Sequence, residues 1–101
     1  MSLEVDKVLK QIDDALLKSL ETSCKLIESE AKIYAPVRTG KLKNSISHSI
    51  EKETKTGTVY SDVKYAPYVE AGTSKQKAQP FLQRAVDKNR QEILELFEDI
   101  L

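Results

Sequence analysis

The chain has 101 residues, of which 16 are basic and 16 acidic; its formal net charge is zero, 40% of its side chains are hydrophobic and one is a cysteine. That reads as one small globular domain over residues 1–101, too small for a full core plus a large catalytic cleft, since such a chain buries only roughly 65% of its unfolded surface. The balance of charge gives no global attraction to nucleic acid, one cysteine closes no internal disulfide, the first residues lack the build of a signal peptide, and no apolar run nears the ~20 residues that span a bilayer; a soluble protein of a reducing compartment is expected.

Apolar residues fall at Val5, Leu9, Ile12, Leu16, Leu20, Cys24, Ile27, Ala31 and Tyr34, a mean step of about 3.6 that predicts one long amphipathic helix. Ser2 is its expected N-cap and Pro36 its stop, because the residue before a proline avoids the helical region. Val8, Leu26 and Ile33 lie beside the main stripe and widen the apolar arc to about half the circumference, more than one packed partner needs. These three are the candidate subunit interface. At 1.5 Å per residue a helix of ~32 residues is about 48 Å long, longer than a globule of this mass is wide, so it must project, bend or dock on a neighbour.

The middle changes period. Residues 45–51 alternate, with Ile46, His48 and Ile50 on one side, and residues 58–63 are β-rich; the polar stretch 52–57 supplies the turn of a β-hairpin, with Gly57 able to take positive φ. Residues 65–72 predict a short helical turn with Pro67 near its start and Gly72 past its end. A polar loop over 72–79 leads to Pro80, expected at the first position of a second long helix over 80–101, where Phe81, Leu82, Ala85, Val86, Ile93, Leu94, Phe97, Ile100 and Leu101 repeat the helical pattern.

Charge is uneven. Residues 1–30 carry 4 basic and 7 acidic side chains, residues 31–90 carry 12 and 5, and residues 91–101 carry none and 4. Acidic helix ends meeting a basic centre, within one subunit or between copies, explain this directly. A small DNA-binding module using the basic centre is the alternative, though Tyr60, Tyr65 and Tyr68 are assigned to core packing there.

The residues offer little chemistry. Cys24 sits on the apolar stripe with no CxxC partner and is read as a buried packing group; His48 alternates with isoleucines and has no evident carboxylate partner, so a Cys24–His48 hydrolase is the weakest reading. Asp13 and Asp14 diverge by about 100° on a helix and cannot share a proton. Arg38-Thr39-Gly40-Lys41 is not a phosphate loop, because Ala35 and Leu42 stand where that motif needs a glycine and a Ser or Thr. Thr39 is instead expected to N-cap a single helical turn through Lys43, with Leu42 in the core.

Three segments together are specific: Tyr34-Ala35-Pro36-Val37-Arg38-Thr39-Gly40-Lys41-Leu42-Lys43-Asn44-Ser45-Ile46, then Tyr65-Ala66-Pro67-Tyr68-Val69-Glu70-Ala71-Gly72-Thr73, then Ala78-Gln79-Pro80-Phe81-Leu82-Gln83-Arg84-Ala85. In order and spacing they resemble the small tail-component family of long-tailed double-stranded DNA bacteriophages and prophages, of head-to-tail joining or tail-completion type, over roughly residues 5–100. The residues that carry the resemblance are Pro36, Arg38, Thr39, Gly40, Leu42, Ser45, Tyr65, Tyr68, Glu70, Gly72, Thr73, Pro80 and Phe81. It implies an α+β fold, a long N-terminal helix and a C-terminal helix packed on a small antiparallel sheet with a central hairpin. It implies no catalysis and no cofactor or metal. It further implies a ring, often of six copies, in the virion neck or tail, assembled in the host cytoplasm with neck and tail proteins as partners; DNA contact would come only from a passing genome, and membrane contact is not implied. This chain is short between Gly57 and Tyr65, and its loop at 73–77 reads Thr-Ser-Lys-Gln-Lys.

Overall fold

A computed structural model describes residues 5–36, 40–98 and 100, with the side chains of residues 5, 6 and 8 left aside. The elements run α1 (Val5–Tyr34), α2 (Lys41–Ser45), β1 (Ser47–Glu51), β2 (Thr56–Tyr60), α3 (Ala66–Ala71) and α4 (Phe81–Glu98). The protein is an α+β fold in which two long helices pack on a two-stranded antiparallel sheet. Ser2, Thr39 and Leu101 lie outside the described residues, and so does any capping role for Ser2 or Thr39.

α1 and α4 form an antiparallel pair. Lys88 on α4 reaches Glu30 on α1 at 3.3 Å, while near the other end of α4 the Leu96 carbonyl accepts a bond from Ser19 Oγ. Ala31, Ala35 and Ala85 are buried in the core between them, and such small side chains let helix backbones approach closely. Phe81, Ile46 and Leu42 fill the space around these alanines. Beyond the level of Ser19, α1 runs on for about four turns, and there Leu9 and Ile12 are exposed. The long helix thus projects, and the molecule measures 68 × 23 × 21 Å with a radius of gyration of 17.2 Å, against about 13 Å for a compact chain of this length.

The hairpin lies along α1, with His48 opposite Val59 and Ile50 opposite Gly57. The alternation of residues 46–50 is as expected, but the turn is not. Lys55 takes the positive φ of 53°, whereas Gly57 sits inside β2. The reason for a glycine there is a close approach: a Cβ at this position would collide with Cys24 Sγ and come within 3.1 Å of Leu20 Cδ1. β2 ends at Tyr60, so Val63 follows the strand rather than ending it. Pro80 also stands one position earlier than expected, its carbonyl accepting the first bond of α4 from Arg84 N–H at 2.9 Å.

Candidate functional site

The segments that stand apart in the sequence come together at the end of the molecule where α1 stops and α4 starts. Gly40, with φ 75°, takes the N-cap place of α2 that Thr39 was expected to fill; left-handed backbone favours glycine there. One turn of helix then drops Leu42 into the core. Ser45 ends α2 by donating to the Leu42 carbonyl at 2.6 Å, and its Oγ lies 2.6 Å from Ser61 Oγ, tying α2 to the strand exit.

α3 carries the second segment. Its glutamate, Glu70, accepts the backbone N–H groups of Leu82 at 3.0 Å and Gln83 at 3.2 Å. A carboxylate placed there satisfies two of the orphan donors at the start of α4 and meets the positive end of the helix dipole. Gly72 is required twice: its φ is 78°, and a Cβ would lie 2.7 Å from the Ala78 nitrogen. Thr73 closes the loop that follows, its Oγ1 accepting the N–H groups of Lys75 and Gln76. Gln79 N–H then donates to the Val69 carbonyl at 2.8 Å, which delivers Phe81 to the core.

Between these segments opens a groove of about 700 Å³. Pro36, Leu42 and Val69 form its apolar part, Tyr65 and Tyr68 its aromatic wall, and Lys77 stands on its rim. The tyrosines correct an expectation: Tyr68 is 61% exposed and Tyr65 is also exposed, because α3 packs through Ala66 and Val69 and turns its aromatic face outward, and Tyr60, at the end of β2, is exposed as well. Of the residues that carry the resemblance, Pro36, Gly40, Leu42, Tyr65 and Tyr68 line the groove. Ser45, Glu70, Gly72, Thr73, Pro80 and Phe81 build what surrounds it, while Arg38 and Thr39 are outside the described residues.

His48 has a carboxylate partner after all. Its Nδ1 lies 2.8 Å from Glu28 Oε2, so the ring N–H donates to the carboxylate and pins the hairpin to α1. Cys24 is buried nearby on α1; desolvation, and after it the negative charge of Glu28, push its thiol pKa up. A thiol held protonated is a poor nucleophile. Its place against Gly57 makes it a packing group. The basic centre also meets acidic α1 within the subunit, through Lys55 with Asp13 at 3.5 Å and Lys88 with Glu30. Among the described residues no helix is long and apolar enough to cross a membrane.

The Glu70 cap and the Glu28–His48 bond escaped sequence reasoning. Neither has a local pattern: the partners are 12 and 20 residues apart and belong to different elements.

Comparison with known families gives a match over residues 1–72 to the HK97-gp10-like family, described as "Bacteriophage HK97-gp10, putative tail-component". The matched stretch holds α1, the hairpin and the first two motif segments up to Gly72. No curated protein and no solved structure matches. The chain belongs to this phage tail-component family.

Proposed function

We propose, from this family membership, that the protein is a non-enzymatic structural subunit that acts in head-tail joining or tail completion. Residues 1–101 work as one domain, and copies assemble into a ring in the virion neck or tail, in contact with neck and tail proteins. The observation that carries this reading is how the motif residues are used. Gly40, Leu42, Ser45, Glu70, Gly72, Thr73 and Phe81 cap helices, close loops or fill the core, while large side chains such as Ile33 and Tyr68 remain uncovered.

Ile33 is 70% exposed on α1, and Leu26, one heptad earlier on the same face, is half-buried. A chain that leaves such a face open on its longest helix is built for neighbours. Val8, the third residue assigned to this interface, has its side chain outside the described residues. The exposed aromatic and basic groups of the centre keep DNA binding as the rival reading, and salt-dependent retention on DNA tests it.

The decisive experiment pairs Leu26→Asp and Ile33→Asp with light scattering across a concentration series and with a phage assembly assay. Weaker self-association and failed tail completion, with an unchanged circular dichroism spectrum, are expected. Tail completion that proceeds normally with both variants refutes the interface assignment.

A further inference from the structure

The groove formed by the motif segments lies at one end of an elongated molecule. Its apolar part is Pro36, Leu42 and Val69, its wall is Tyr65 and Tyr68, and Lys77 has no carboxylate partner among the described residues. It therefore suits an apolar side chain carried on an acidic segment.

Such a segment exists at the far end of α4. Residues 91–101 hold four acidic and no basic side chains. Within them Leu94 is 55% exposed, and Glu95 and Glu98 are exposed with no ion pair among the described residues. A large exposed leucine followed by unpaired glutamates one and four positions on is the counterpart of an apolar groove with a basic rim.

One molecule cannot join the two by itself. α4 begins at the groove, where Glu70 caps it, and its 18 residues carry its last turns about 27 Å away along α1. Packing against α1 holds α4 straight out from the groove.

We infer that the groove receives Leu94 and the acidic last turns of α4 from a second copy, so that copies join head to tail. This rests on the reading of the protein as a self-assembling subunit, and adds to the Leu26–Ile33 face a second contact between copies. The two surfaces differ, so the contact is heterologous; repeated by rotation it closes into a ring, and otherwise it grows into a filament. Leu94 seated among the tyrosines is the apolar anchor, and Lys77 facing Glu95 and Glu98 sets the register.

Cysteine cross-linking tests the pairing directly. Leu94→Cys and Tyr68→Cys are made separately in a Cys24→Ala background, both at exposed positions, and circular dichroism checks that each folds. On mixing with a short bismaleimide, 94–68 products should dominate, and one chain carrying both cysteines should give a ladder. In parallel, Lys77→Glu and Glu95→Lys should each weaken self-association about tenfold, and the two combined in one chain should restore it.

Association that persists with 94–94 or 68–68 products, or with no cross-link, overturns this contact and leaves the self-assembly reading standing. No association at millimolar protein overturns both. If Lys77→Glu abolishes retention of duplex DNA while association is unchanged, the groove is a nucleic-acid contact and the inference fails.

Discussion

Replacing Gly57 by alanine should loosen the β-hairpin from α1. The backbone at Gly57 is not left-handed, and on conformational grounds alone Gly→Ala would gain about 0.4–1 kcal/mol through the unfolded state. Packing reverses the sign. The new methyl would collide with Cys24 Sγ and sit 3.1 and 3.3 Å from Leu20 Cδ1 and Cγ, in a place where neither helix nor strand has spare room. Overpacking of this kind costs about 1–3 kcal/mol, and the midpoints of the two ranges leave a net loss of about 1.3 kcal/mol. Urea unfolding followed by circular dichroism should show the midpoint falling by roughly 1 M, given a slope of order 1–2 kcal/mol per M. The specific claim is that the sulfur is the obstacle. Cys24→Ala by itself should cost about 1 kcal/mol, and in the double variant the alanine at 57 should become close to neutral, with a coupling of at least about 1 kcal/mol. The Leu20 methyl, at the flexible end of its side chain, can give the few tenths of an ångström that remain. Strictly additive losses, or a Gly57→Ala protein as stable as the parent, would refute this account of why a glycine stands in the strand.

Glu70→Ala should lower stability by about 1–2 kcal/mol, through loss of a cap on α4, with Glu70→Gln losing less because one acceptor remains; thermal unfolding should register about 4–8 °C per kcal/mol. Leu42→Ala should cost about 2–4 kcal/mol, as truncation of a buried leucine does; an unchanged midpoint with lost assembly would move Leu42 from the core to an interface. Cys24 should react with a thiol reagent far more slowly in native than in denatured protein. Its raised pKa means that the native state holds the proton more tightly, so the thiol's contribution is complete below the ordinary value of 9.0 and is lost as pH rises through the higher native value. The stability difference between parent and Cys24→Ala should accordingly shrink from pH 7 to pH 10, and a constant difference would contradict the burial argument.

What the sequence determined by itself was local in origin. The period of 3.6 gave the long helix α1, the alternation of Ile46, His48 and Ile50 gave the inward face of the hairpin, and Pro67 and Gly72 marked the start and the end of α3. Each of these depends on residues a few positions apart, where dihedral preference and spacing act directly. The three motif segments were likewise visible, although not the work they do. Only docking decided that Glu70 caps α4, that Glu28 holds His48, and that the tyrosines of α3 face outward. Gly57 is the clearest case, since a glycine near a turn suggests positive φ, yet Lys55 makes that turn and Gly57 is there for a sulfur 33 positions earlier in the chain. A close approach between elements is fixed by the sum of their packed surfaces, and no window of sequence contains both sides of it.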